Sequence, residues 1–353
     1  MAHLPMHLLP HIGALASGPR DAISDVPGVQ VGHHTLSEGE VQTGVTVVRP
    51  HAGDPYRDKV PAAAVVFNGF GKSMGLVQVR ELGVLETPIA LTNTYSVPAV
   101  AQAQIRQCLA ANPESGRSLP TVNPLVFECN DGWLNDIQRM AVEEAHYARA
   151  LGLAHTDFEQ GAVGAGRGMS CFGLKGGIGS ASRRTPGGDF TVGALVLANF
   201  GKQRQLVVAG HPVGLRLADG ARAAATGPEK GSIILLLATD APLDARQLRR
   251  LAMRAAAGLA RTGSVFGHGS GDIALAFSTA YTVPHLPDRA MPALAMLHEM
   301  RMDDLFEAGA DACEQAILHA LWHAAAVTGR DGHRREALAD RIASWTSLSA
   351  ASP

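Results

Sequence analysis

The chain has 353 residues, 46% of them hydrophobic and 18% charged, with a formal net charge of −2. That balance favours a large buried core and excludes a disordered, highly solvated chain. No basic stripe supports nucleic-acid binding, and no run of ~18 apolar residues is present to span a membrane. In chain order, Pro27-Gly28 predicts a turn followed by a short strand through Val29 and Val31. Thr43–Val48 and Ala62–Phe67 predict two more strands, the second running into the glycine-rich Asn68–Gly75. Ile89–Asn93 reads as a strand and Val97 to Leu109 as a helix, while Leu125–Phe127 leads into the segment Glu128–Asp136. A helix is expected over Ile137–Ala150, where Ile137, Met140, Ala141 and Ala145 share a face. Glycine-rich Gly161–Gly188 follows, then Phe190–Ala198 and Gln205–Ala209 as paired strands. Pro212–Lys230 reads as a polar loop that would expose the Gly231-Ser232 junction. Ser232–Asp240 is an apolar, strand-like run, and Asp240–Asp244 caps a helix reaching Thr262, with Leu248, Leu251, Ala252, Ala255 and Leu259 at helical spacing. Ile273–Ser278 is a further strand, and helices near Met302–Ala326 and Glu336–Trp345 close the chain. No linker or composition break divides it, so residues 1–353 read as one mixed α/β domain with helices covering apolar sheets.

Cys108, Cys129, Cys171 and Cys313 are widely spaced without a CxxC pair, which reads as free thiols in a reducing compartment. The N-terminal run has no Lys or Arg before Arg20 and is broken by prolines and histidines, so a cytoplasmic location is expected over secretion.

Several motifs fail on spacing. Gly71-Lys72-Ser73 is no phosphate loop, because position 66 is valine where the pattern needs glycine. Gly164–Gly168 and Lys175–Gly179 miss the dinucleotide spacing. His319 and His323 share a helix face but are separated by Ala-Leu-Trp, without the glutamate of a zinc protease or a third ligand. His33 and His34, adjacent on a strand, point to opposite faces. The hydrolase elbow G-x-S-x-G is absent at both Ser232 and Ser270.

Two features remain. In Gly231-Ser232 a hydroxyl follows the least hindered peptide carbonyl available, at the mouth of an apolar strand. Attack of Ser232 Oγ on that carbonyl would cut the chain and leave a new α-amine, of unperturbed pKa near ~8, beside a weak hydroxyl nucleophile. The same dipeptide also suits an ordinary loop-to-strand junction. In Gly263–Asp272, Ser270 and Asp272 stand two apart at a strand entrance and could together orient that amine or relay its proton. A plain glycine-rich turn, with Asp272 bonding its own backbone, is the other reading.

Taken in order, Asp25-Val-Pro-Gly-Val-Gln-Val-Gly-His33, Asn68-Gly-Phe-Gly71, Leu91-Thr-Asn-Thr94 and Glu128–Asp136 resemble the DmpA family of self-processing serine aminopeptidases, peptidase family S58. So do Val163-Gly-Ala-Gly166, Lys175-Gly-Gly-Ile-Gly179, Val192–Asn199, Gly231-Ser-Ile-Ile234, Ala238–Leu243, Arg261–Ser264 and Ser270–Ile273, so that the resemblance covers nearly the whole chain. It implies a four-layer αββα sandwich like that of the N-terminal nucleophile hydrolases, with no cofactor and no metal. Autocleavage at Gly231/Ser232 would give fragments 1–231 and 232–353, which stay associated and assemble as homo-oligomers. By the same resemblance Ser232 is the nucleophile and Asn199 the oxyanion donor. Ser270 and Asp272 support proton transfer, with aspartate standing where some members carry glutamate. Glu128 would hold the substrate's free amine. Relatives use a tyrosine hydroxyl near the site; here the segment carries Asn130 and Trp133, assigned to substrate binding. The implied activity is removal of an N-terminal residue from short peptides, amino-acid amides or esters through an acyl-Ser232 intermediate. An autoprocessing acyltransferase of the ornithine acetyltransferase type, which resembles an Ala-Thr cleavage point, and a non-catalytic oligomeric binding protein are the alternatives.

Overall fold

The computed structural model describes residues 9–218 and 231–342. Its principal elements begin with β1 (Gln30–Glu38), β2 (Val41–Arg49), β3 (Asp58–Gly69), α1 (Leu76–Leu82), β4 (Ile89–Asn93), α2 (Val97–Ala111), β5 (Val126–Cys129) and α3 (Glu144–Gly152). They continue with β6 (Gly177–Arg184), β7 (Thr191–Asn199), α4 (Val213–Ala218), β8 (Ser232–Thr239), α5 (Ala245–Ala252), α6 (Ala255–Arg261), β9 (Gly271–Ser278) and α7 (Met302–Trp322).

Two sheets stack face to face. The smaller runs β1-β2-β4-β5; the larger runs β3-β9-β8-β7-β6, extended at β3 by the two-residue strands Val84–Leu85 and Val283–Pro284. Alternation along the strands sends Ile89, Leu91 and Phe127 from one sheet and Leu195, Leu197, Ile234, Leu236 and Leu275 from the other into a shared core. The other face of the large sheet, through Val196, Ile233, Leu235 and Ala274, packs on Leu248 and Leu251 of α5, Leu259 of α6 and Ala316 and Ile317 of α7. Val45, Val47, Ala90 and Val126 back the small sheet onto α2 and α3. This is the expected αββα sandwich.

The departures have local causes. Gly161–Gly188 contains β6, a strand buried over seven of its eight residues, which its glycines hide from pattern reading. Gly179 is required there: a Cβ would lie 1.9 Å from the Ala316 carbonyl oxygen of α7, which rides directly on the strand backbone. The helix expected over 137–150 is a single turn, Ile137–Arg139, ended by Met140 at φ 46°, and then α3. The helix expected to reach Thr262 starts where expected, with Asp244 accepting from Gln247 N–H at 2.7 Å, but it breaks into α5 and α6. Gln205–Ala209 is not a strand; a turn follows Gln203–Gln205, and Val207 N–H bonds instead to Thr262 carbonyl at 2.9 Å. The last helix begins at residue 338 rather than 336, and its expected end lies outside the described residues.

Candidate active site

Three strand ends converge on Ser232. It opens β8, and the ladder sets it against Asn199 at the end of β7 and Gly271 at the start of β9. In the intact chain Ser232 Oγ donates to the Gly231 carbonyl at 2.8 Å. Gly271 N–H reaches both Ser232 Oγ, at 3.2 Å, and the Gly231 carbonyl oxygen, at 3.3 Å. The polar flank predicts an exposed junction, but Gly231 is buried; residues 219–230 lie outside the described residues. A Cβ at Gly231 would stand 2.6 Å from the Asn199 carbonyl oxygen and 2.7 Å from Phe200 Cα.

Asn199 and Ser232, paired across the ladder, present their side chains on the same face of the sheet. Asn199 Oδ1 accepts from Ser170 N–H at 2.8 Å, which fixes the other end of the amide as a donor. One Nδ2 hydrogen goes to the Asn130 carbonyl at 2.9 Å. Behind Ser170, Lys175 Nζ is fully buried and donates to the carbonyls of Gly166, Met169 and Gly176 at 2.9, 2.8 and 2.6 Å, tying down the small hairpin of Ser170–Cys171 and Leu174–Lys175.

Ser270 and Asp272 are both 1% exposed, and Ser270 Oγ donates to Asp272 Oδ1 at 2.5 Å. Alternation along β9 sends this pair to the face opposite the Ser232 hydroxyl, since Gly271 is the residue in register with Ser232. Asn68 fastens their turn, donating from Nδ2 to the carbonyls of Gly267 at 2.9 Å, His268 at 3.2 Å and Ser270.

Glu128 arrives from the other sheet, on β5. It is buried, with Oε1 accepting from Lys72 N–H at 2.7 Å and Oε2 from the Thr94 hydroxyl. Gly71 stands between it and Gly271, the residue paired with Ser232: a Cβ there would be 3.5 Å from Glu128 Oε1 and 3.8 Å from Gly271 Cα. Asn130 and Trp133 occupy the exposed rim. Asn130 Oδ1 accepts from Gly132 N–H at 2.9 Å, and the Trp133 ring stacks on His333 with centroids 3.8 Å apart. Between them Asp131 is buried and bonded to Asn135 Nδ2 at 3.0 Å; burial pushes its carboxyl up to about 7. Among the described residues no group of three or more His, Cys, Asp or Glu is placed to hold a metal ion, and no helix is long and apolar enough to cross a membrane.

The pattern of peptidase family S58 matches residues 21–335. The chain belongs to that family. It is 40% identical over 340 residues to beta-peptidyl aminopeptidase BapA of Sphingosinicella microcystinivorans, covering 90% of this chain and 85% of that protein. Among solved structures, a Burkholderia sp. beta-aminopeptidase superposes with a TM-score of 0.85 at 42% identity, covering 97% of this chain and 98% of that one. The L-aminopeptidase D-Ala-esterase/amidase of Ochrobactrum anthropi, described as a variant of the Ntn hydrolase fold, gives a TM-score of 0.87 at 35% identity and covers 97% of each chain. This S58 chain therefore shares that fold.

Several groups around Ser232 give no sign, read from the residues themselves, of the contacts they make. Gly271 contributes a backbone N–H, which no residue type advertises. Ser170 and Lys175 act on Asn199 from 29 and 24 positions away, through contacts that only the folded hairpin creates. The Lys175–Gly179 motif is visible and belongs to the family resemblance, but nothing in it shows that the lysine is buried against backbone carbonyls.

Proposed function

We propose that this S58 chain is a serine aminopeptidase and amidase that matures by cutting itself between Gly231 and Ser232. One observation carries the reading: the Ser232 hydroxyl lies 2.8 Å from the carbonyl oxygen of the bond to be cut, with Gly271 N–H on the same oxygen. Ser232 Oγ attacks the Gly231 carbonyl carbon, the carbon–nitrogen bond to Ser232 breaks, and water hydrolyses the resulting ester. The products are a Gly231 carboxylate and a Ser232 α-amine. In turnover that amine takes the hydroxyl proton as Oγ attacks the substrate carbonyl, and later serves the water that releases the acyl group. Asn199 Nδ2, held by Ser170 and Asn130, and Gly271 N–H stabilise the oxyanion; one such donor is typically worth ~3 kcal/mol. Ser270 and Asp272 face away from the Ser232 hydroxyl, so their part in proton transfer runs through the Ser232 amine, and Glu128 holds the substrate amine.

The acyl group enters where Gly231 lay. Phe200 Cα and the Asn199 carbonyl wall the carbon next to the scissile carbonyl. They would stand 2.7 and 2.6 Å from a methyl placed on that carbon, so an unsubstituted methylene fits there best. Glycine has one, and so does a residue whose amine sits on the β-carbon, the substrate type in the name of the Sphingosinicella relative. The processed fragments form a soluble cytoplasmic homo-oligomer in this reading.

Mass spectrometry of purified protein tests the first step, with two chains meeting at 231/232 expected and Ser232→Ala expected uncut and inactive. An intact, inactive wild type would make it a binding protein on this scaffold. Turnover of aminoacyl p-nitroanilides with and without an acceptor amine separates hydrolysis from acyl transfer. Full turnover in Ser232→Ala would overturn the mechanism.

A further inference from the structure

The two ends of the Asn199 amide are held by different segments. Ser170 N–H bonds Oδ1 at 2.8 Å, and the Asn130 carbonyl takes one Nδ2 hydrogen at 2.9 Å. A third segment lies against both holders. It turns between the short antiparallel strands Val327–Thr328 and Arg334–Arg335. On the Asn130 side, Arg330 donates from its peptide N–H to the Leu134 carbonyl at 2.7 Å and from Nε to the Gly132 carbonyl at 3.1 Å. His333 Nδ1 donates to the Trp133 carbonyl at 2.9 Å. On the Ser170 side, the Glu336 carbonyl accepts Lys175 N–H at 2.8 Å, on the small hairpin that carries Ser170.

Arg335 joins the two sides through its side chain. Its Nε donates to Ser170 Oγ at 3.1 Å, and its guanidinium lies 4.7 Å from the centre of the Trp133 ring. The contacts close a ring. It runs from Asn199 to Ser170, on to Arg335 and Trp133, and back along the turn to Asn130 and Asn199. Among the described residues no carboxylate pairs with Arg335, and burial pushes its guanidinium down. Taking a cation partly out of water without an ion pair costs stability, so a surface salt bridge does not account for its place. The ring also crosses the Gly231-Ser232 junction: Asn130, Trp133, Ser170 and Asn199 precede it, and Arg335 follows.

We propose that Arg335 is a positioning residue for the oxyanion donor, gripping Ser170 and Trp133 together so that the Asn199 amide keeps the orientation the developing charge needs. It acts through Ser170 and Asn199, not on the substrate. A donor of this kind works because it is fixed before charge develops, so a slack holder lowers kcat and leaves ground-state binding alone. The proposal rests on the roles given to Ser232 and Asn199 above.

The experiment measures kcat and KM on β-alanyl p-nitroanilide, per severed chain, for the wild type, Arg335→Met, Arg335→Lys, Ser170→Ala and the double variant Ser170→Ala/Arg335→Met. Arg335→Met keeps an unbranched stem beside Trp133 and removes the donor. Its kcat should fall about 10-fold, part of the ~10²- to 10³-fold expected for losing Asn199 itself, with KM within about 2-fold. Arg335→Lys returns a donor and should recover part of that loss. Ser170→Ala keeps the peptide N–H on Asn199 and loses only the hydroxyl that Arg335 grips. It should match Arg335→Met, and it carries the test if that variant does not fold. The double variant should lose no more than the worse single one. An unchanged kcat in Ser170→Ala, losses that multiply in the double variant, or a loss confined to KM would each overturn the proposal. So would a folded variant that stays uncut, because Gly271 N–H, not Asn199, is the donor on the Gly231 oxygen in the intact chain. Failure of the reading beneath it looks different: a wild type uncut and inactive on the p-nitroanilide, or Asn199→Ala at full kcat.

Discussion

Gly231 has two duties that a single added methyl would separate. It offers an unshielded carbonyl to Ser232, and it lets the chain pass Asn199 and Phe200 at distances no side chain tolerates. Gly231→Ala should therefore slow self-cleavage by more than ~10-fold and cost the precursor roughly 1–3 kcal/mol through overpacking. A gel time course and urea melts of the precursor read the two effects; a variant that cuts at the wild-type rate would contradict the tight fit. In the proposed mechanism Asn199 acts later, on charge that exists only in the transition state. Asn199→Ala should fold, and in matured enzyme kcat should fall ~10²- to 10³-fold with KM little changed. A loss confined to KM would place Asn199 in substrate binding instead.

At the scale of elements, the turn Asn130–Trp133 stores a pH dependence. Asp131 is buried without a cation bonded to it, and its carboxyl rises from the ordinary 3.8 to about 7. The native state then holds a proton that the unfolded chain has already released, so stability falls as pH climbs through that window and levels above it. The limit is about 4 kcal/mol for one such group. Asp131→Asn keeps the bonding shape of the protonated acid and should flatten the difference between urea melts at about pH 5 and about pH 8. An unchanged slope would assign the effect elsewhere.

The same scale explains what is legible in the sequence. Ile89–Asn93 and the β8 run announce themselves because buried strands in a two-sided sheet are continuously apolar. β6 does not, because its pattern Gly-Ile-Gly-Ser-Ala-Ser-Arg-Arg answers to the helix lying on it rather than to strand propensity. Among the candidate site residues, Gly231-Ser232, Ser270 and Asp272 stand out by residue type at a strand entrance, whereas Asn199 enters only through the family resemblance. The hands that hold them are not. Ser170 and Lys175 sit on two-residue strands outside the two main sheets, and their partners are fixed by tertiary folding alone.

For the molecule as a whole, the proposed cut falls outside both sheets, just before Ser232 opens β8. The segment beginning at Ser232 supplies β8 and β9, which lie side by side between β3 and β7 of the preceding part, and α7, which covers β6 and β7. Severing 231 from 232 removes no ladder pair. The two fragments should co-elute as one species in native gel filtration and separate only in denaturant, with residues 232–353 expressed alone failing to fold. Recovery of a folded, monodisperse 232–353 fragment would contradict this interlacing.

The arrangement of Gly231, Ser232, Asn199 and Gly271 also makes scission a record of assembly. Those groups come from three strands and are brought together only when the large sheet has closed in register. On the proposed maturation, a misfolded chain would not break its own peptide bond, and peptidase activity would be withheld until the sheet has closed. The fraction of severed polypeptide in a crude extract would then serve as a direct gauge of folding yield, written irreversibly into covalent structure.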